Sequence, residues 1–172
     1  MPRFFMLGTN KLGVMKAYST RVGSGPMPSE NAEISDHLHG LGREFGATTG
    51  RARRCGWHDA VATRTAVMLN GIEEMAITNL DGLDTFDTVK VCVAYECDGV
   101  QYRYLPADLD ILTRCKPVFR EFVGWKTPTT EIRKWEDLPE NARFYLDGLA
   151  DECETKFSII SVGPDRDQTF NH

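Results

Sequence analysis

Apolar residues recur at Ile34, Leu38, Leu41 and Phe45. Steps of three or four place them on one stripe, so the pattern predicts a helix over 34–45. A second helix is expected from Asp59, a residue type that caps helix starts, to about Asn70, where Asn70-Gly71 signals a stop. "EMAIT" (Glu74–Thr78) reads as a short buried strand. "TVKVCVAYE" alternates, with Val89, Val91 and Val93 on one face, and turns at Asp98-Gly99 into "VQYRYL", which predicts a β-hairpin. Pro139 opens a further helix-like segment carrying Ala142, Tyr145, Leu146 and Leu149, and "KFSIISVG" then reads as a buried strand entering the loop "GPDRDQT". Near the start, Ala17–Glu30 passes from a strand-like piece into a Gly/Pro-rich loop. Helix, buried strand and polar loop in that order predict an α/β sheet with a ligand-binding edge, interrupted by a hairpin excursion.

A chain of 172 residues, 41% hydrophobic and 26% charged, predicts one globular domain, with or without an appended subdomain. Residues 1–15 are left as an unassigned lead. The net charge of −5 argues against broad binding to nucleic acid or anionic lipid. No apolar run approaches the roughly 18 residues of a membrane span, and "MPRFFMLGTN" offers no adequate signal-peptide core. Five scattered cysteines without a C-x-x-C suit free thiols in a reducing, cytoplasmic compartment.

Against that acidic balance stands "FGATTGRARRCGW", with Arg51, Arg53 and Arg54 clustered after two threonines and a glycine. Guanidinium forks match carboxylate and phosphate, and Gly50 lets backbone N–H groups approach an anion. The loop is either an anion site or a solvated basic turn whose arginines pair with nearby acids. "TNLDGLD" (Thr78–Asp84) follows an expected strand and puts Asp81 where a carboxylate could read a guanine edge, or it is simply an acidic turn. "SVGPDRDQT" and "AYSTRVGSGP" are candidate ligand loops with equally plain structural readings. His37 and His39, two apart on an expected helix, face different ways and make a poor metal pair. There is no paired-cysteine zinc spacing, G-x-S-x-G elbow or Walker-type loop.

Together, "KAYSTRVGSGPMPSE", "GREFGATTGRARRCGWHDAVATRTAVMLNG", "TNLDGLDTFDTVKVCVAY", "GW", "LPENARFYLDGL" and "IISVGPDRDQT" resemble adenylosuccinate synthetase, in order and spacing, over 16–172. The resemblance implies the C-terminal part of a mostly parallel-sheet nucleotide-binding fold. It also implies a cytoplasmic ligase of purine biosynthesis that joins IMP and L-aspartate using GTP and Mg²⁺. By position, Ala47, Thr48, Thr49, Gly50, Arg51 and Arg53 match the family's aspartate-binding loop, with Arg51 also facing IMP and Arg53 reaching the GTP phosphates. Val22 matches an IMP ribose contact. Asn79, Leu80, Asp81, Ser161, Val162 and Gly163 match the guanine-binding edge. The family typically carries lysine where this chain has Asn79, and threonine where it has Val162.

The family's G-D-E-G-K-G-K phosphate loop, catalytic base and acid, and Mg²⁺ ligands find no match in these 172 residues. The sequence therefore resembles the last two fifths of the enzyme, and the resemblance implies that the chain by itself is inactive. Its implied partners are a second copy of the chain or a complementing N-terminal half. A non-catalytic nucleotide- or dicarboxylate-binding module is the alternative reading.

Overall fold

The computed structural model describes residues 11–172; the apolar patch of the first ten residues lies outside them. In chain order the elements are β1 (Leu12–Lys16), β2 (Ser19–Arg21), α1 (Ala32–Gly40), β3 (Arg54–Gly56), β4 (His58–Asp59), α2 (Ala60–Asn70) and β5 (Glu74–Thr78). They are followed by β6 (Thr88–Cys97), β7 (Val100–Tyr102), α3 (Leu109–Arg114), β8 (Lys116–Val123), α4 (Glu140–Cys153), β9 (Lys156–Ser161) and β10 (Thr169–Asn171).

The main sheet has the order β1-β5-β9-β10. Strands β1, β5 and β9 run parallel, and β10 returns antiparallel to β9. A parallel core needs both faces covered, which suits the buried Met75, Ala76 and Ile77 of β5 and Phe157 and Ile160 of β9. The helix α4 packs on β9 and on β8, burying Ala142, Tyr145, Leu146 and Leu149, the stripe expected from sequence. Asp59 caps α2 through Ala62 N, and Gly71 closes it in the left-handed region, as Asp59 and Asn70-Gly71 predict.

The excursion is a sheet around β6, flanked by β8 on one side and by β4 and β7 on the other. Asp98 and Gly99, both at positive φ, make the hairpin turn. Strand β8 was not foreseen: its sequence "KPVFREFV" places charges and a proline among apolar residues, as suits an outer strand.

Two expectations change. Helix α1 stops at Gly40 instead of reaching Phe45, because Gly42 turns to φ +71 and Arg43 N donates back to Leu38 O at 2.9 Å. Only Ile34 and Leu38 are buried on it. Phe45 instead bridges to Ala52 and packs against the His39 ring at a 41° tilt. Along β6, a register irregularity between Cys92 and Ala94 breaks the simple alternation. Val93 is half-buried, whereas Cys92, Ala94 and Tyr95 are buried.

His58 on β4 is fully enclosed. Its Nδ1 lies 3.0 Å from Lys16 O and its Nε2 3.0 Å from the Thr63 hydroxyl, so a neutral ring with the proton on Nδ1 satisfies both. Burial pulls its pKa from 6.5 down to about 4. Between those values the unfolded chain binds the extra proton, so this contribution is complete above about pH 6.5 and is lost as pH falls toward 4. Denaturant midpoints measured across that range should fall more steeply for the wild-type chain than for His58→Asn, the difference reaching about 3 kcal/mol at most.

Candidate functional site

The register aligns the carboxyl ends of the parallel strands. Lys16 pairs with Thr78, and Ile77 with Ile160. Three segments distant in sequence, Lys16–Tyr18, Thr78–Asp81 and Ser161–Gly163, therefore leave the sheet side by side, at the edge where open α/β sheets take ligands. Ala17 N donates to Thr78 O at 2.8 Å, tying the first two together.

After β5 the chain turns through Asn79 at φ +60, a conformation asparagine tolerates well. The Thr78 hydroxyl donates to Asn79 Oδ1 at 3.0 Å. A single 3₁₀ turn over Leu80–Leu83 follows, closed by Gly82 N on Asn79 O at 3.1 Å. It sinks the Leu80 side chain into the core and fixes Asp81, whose carboxylate is 3% exposed. Asp81 Oδ2 accepts from Arg43 Nη2 in a close ion pair, and Asp81 Oδ1 is buried with no partner among the described residues.

Beside it, Ser161 Oγ donates to Gly163 O at 3.1 Å, and Val162, fully buried, donates its N–H to Gln168 O at 2.9 Å. Leu80 and Val162 thus offer a ligand only backbone. A Cβ on Gly163 would collide with the Gln168 side chain, which braces the loop by accepting from Asp165 N and donating to Thr130 O.

The arginine loop is closed by its own backbone. Gly46 N donates to Arg51 O and Gly50 N to Gly46 O, both at 2.8 Å, with Gly50 at φ +65. This closure leaves Ala47, Thr48, Thr49 and Arg51 exposed. Arg51 has no side-chain hydrogen bond or ion pair among the described residues; its backbone N–H donates to Thr49 Oγ1 at 3.4 Å.

Arg54 is occupied. Its Nε and Nη2 take both oxygens of Glu30, at 2.8 and 2.5 Å, while Nη1 holds the carbonyls of Gly23 and Gly25. That grip shapes the glycine loop beyond β2. Because β2 and β3 are antiparallel and pair Arg21 with Arg54, Val22 leaves this ribbon at the end where Arg53 enters. Val22 is 75% exposed.

Glu44 joins the two regions. It is a buried non-glycine residue at φ +60. It accepts from Lys16 Nζ at 2.6 Å, the Tyr18 hydroxyl at 2.7 Å and Arg53 Nη1 at 3.1 Å. Burial alone would raise its pKa, but these donors together outweigh that effect and hold it below the ordinary range. Tyr18 is pushed up, first by burial and then by Glu44. Arg53 keeps its Nε buried and unpaired among the described residues. The adjacent residues Arg43 and Glu44 therefore link Asp81 on one side to Lys16, Tyr18 and Arg53 on the other.

Sequence reasoning singled out none of Lys16, Tyr18, Arg43 or Glu44. The available signal was "REF", an acid–base pair directly before the arginine loop. His37 and His39 go to separate partners, Phe86 and Arg53 O.

An orphaned acceptor on Asp81 and an orphaned donor on Arg53 fit a ligand with N–H donors at one end and anionic oxygens at the other. Among the described residues no group of three or more His, Cys, Asp or Glu is gathered to hold a metal ion. Likewise, no described helix is long and apolar enough to cross a membrane.

Replacing Glu44 with glutamine should cost about 2–4 kcal/mol, because Lys16 and Arg53 lose their buried counter-charge. Arg51→Ala should shift stability by less than about 0.5 kcal/mol. Denaturant unfolding of the two variants checks both.

The adenylosuccinate synthetase family model matches residues 6–170. The chain is 52% identical over 160 residues to the adenylosuccinate synthetase of Synechococcus sp. (strain CC9902), covering 92% of this chain and 36% of that protein. It is 50% identical over 162 residues to that of Brachyspira hyodysenteriae, covering 94% and 38%. The fully ligated adenylosuccinate synthetase of Plasmodium falciparum superposes with a TM-score of 0.88 at 32% identity, covering 94% of this chain and 39% of that one. The chain thus spans under two fifths of the length of these relatives. A match of this extent, over a sheet edge and an arginine loop that the sequence motifs anticipate, establishes that the chain belongs to the adenylosuccinate synthetase family.

Proposed function

We propose that this chain supplies the guanine-reading edge and the aspartate-holding loop of a cytoplasmic, GTP-dependent ligase that joins IMP to L-aspartate. One observation carries the reading: the strand ends bearing Asn79–Asp81 and Ser161–Gly163 lie side by side, and Arg43-Glu44 ties them to Arg53. On this reading Asp81 accepts the N–H donors of guanine, with the backbone at Leu80 and Ser161–Gly163 lining the base.

Thr48, Thr49, Arg51 and the backbone at Ala47 and Gly50 take the aspartate carboxylates. Arg51 is suited to this because nothing within the described fold competes for its fork. Arg53, with one nitrogen on Glu44 and another unpaired, reaches toward both aspartate and the nucleotide phosphates. Val22 and its glycine loop contact the IMP ribose.

In the reaction, the IMP 6-oxygen takes a phosphoryl group from GTP and is then displaced by the aspartate amine. These residues orient the amine and the nucleotide and balance their charge, which is most of what phosphoryl transfer asks of a protein. Mg²⁺ would neutralise phosphate charge. The five free, buried cysteines suit the reducing compartment this role requires.

Calorimetric titration of the 172-residue chain should show L-aspartate affinity falling roughly tenfold to a hundredfold in Arg51→Ala while GDP affinity holds. The preference for GDP over ADP should disappear in Asp81→Asn. Incubated with IMP, L-aspartate, GTP and Mg²⁺, the chain should form no adenylosuccinate, since it lacks the phosphate-loop motif. Turnover abolished by Arg51→Ala would overturn that division of labour. Indifference of aspartate binding to Arg51 would overturn the loop assignment.

A further inference from the structure

Arg43 and Asp81 form an ion pair between the two halves of the site, and their exposures differ sharply. The Arg43 side chain is 30% exposed and can swing into water, whereas the Asp81 carboxylate is 3% exposed and anchored in its 3₁₀ turn. Arg43 meets Asp81 through Nη2 on Oδ2 alone, leaving Oδ1 buried and without a donor among the described residues. A carboxylate with one oxygen unpaired in a buried setting is incompletely compensated. A partner bringing two parallel N–H groups would satisfy it better.

The guanidinium of Arg43 is a planar fork of N–H donors around one carbon. The reading edge of guanine is built alike, with a ring N–H and an exocyclic amine on either side of one carbon. The two groups therefore compete for the same acceptor by the same chemistry. An adenine edge, which lacks that pair of adjacent donors, cannot take Arg43's place.

We propose that Arg43 is an internal competitor for Asp81, so that binding of a guanine nucleotide is an exchange of one guanidine-type donor fork for another. This rests on the reading of Asp81 as the guanine acceptor and adds a regulator to it. The exchange sets the affinity of the site: each guanine that binds must first displace an ion pair that the fold supplies for itself. Arg43 is continuous with Glu44, whose backbone is held at φ +60 and whose carboxylate holds Arg53. Release of Arg43 thus begins one residue away from the arginine loop.

The test is equilibrium binding of GDP and of ADP to the wild-type chain, Arg43→Met, Arg43→Lys and Asp81→Asn, each checked for a cooperative melt. Removing the competitor should tighten GDP binding roughly tenfold in Arg43→Met and leave ADP within about twofold. Arg43→Lys keeps the charge but loses the fork and should fall between, at about threefold. If Arg43→Met does not fold, the lysine variant alone decides. GDP binding that is unchanged or weaker in the folded Arg43 variants overturns the exchange. In that case, a guanine preference lost only in Asp81→Asn leaves the guanine edge standing. Absence of any guanine preference in the wild-type chain sinks the edge and the exchange together.

Discussion

A carboxylate carried into the interior has to be met by donors, and the way Glu44 is met organises this fold. Its three donors come from different places: Lys16 at the end of an outer parallel strand, Tyr18 just beyond it, and Arg53 on the far side of the arginine loop. Each bond fixes one piece of backbone relative to another, and the left-handed turn at Glu44 is what lets one residue reach all three. Such a turn costs a non-glycine residue on the order of 1 kcal/mol. The charge-assisted bonds it permits offset that cost. This node adds to the ribbon of β2 and β3 and to the Arg43–Asp81 ion pair in fastening the loop to the sheet.

The same economy of charge explains how an acidic protein carries a cationic loop without a polyanion surface. Two of the three clustered arginines are engaged within the fold: Arg54 clamps Glu30 and the carbonyls of the glycine loop, and Arg53 serves Glu44. Arg51 alone presents its whole fork outward. Residues of one type, adjacent in sequence, thus divide into a brace, a link and a free hand. The division follows from which acids the tertiary fold places nearby, and composition could not have revealed it.

Sequence pattern carried much of the architecture. The cap at Asp59, the stop at Asn70-Gly71, the apolar stripe of α4 and the buried runs of β5 and β9 are local signals that tertiary packing left intact. It failed where a distant partner decided the outcome. Phe45 has helical spacing from Leu41, but Gly42 and the bridge to Ala52 draw it into the loop. Strand β8, part-charged and opened by Lys116-Pro117, becomes a strand only because β6 offers it a ladder. At the proposed site, the motifs marked the strand-end loops and the arginine loop. They did not mark Lys16, Tyr18, Arg43 and Glu44, whose importance lies in contacts across 26 to 38 residues of sequence. Pairings at that distance leave no periodic trace in a single chain.

On the proposed reading, the two departures from the family pattern bear on different parts of base recognition. Val162 keeps its backbone N–H on Gln168 O and its side chain in the core, so the loop holds its shape without the hydroxyl a threonine would bring. Asn79 sits at φ +60, where asparagine is at ease, and its side chain folds back to the Thr78 hydroxyl. The turn that delivers Asp81 is therefore well served by asparagine. What is given up is a long apolar stem of the kind lysine lays over a base. On the proposed reading, recognition of guanine in this chain leans less on covering the face of the base and more on its edge. The edge is read by Asp81 alone, and Arg43 already stands at that carboxylate. Selectivity and affinity then pass through one buried carboxylate and the exchange that frees it.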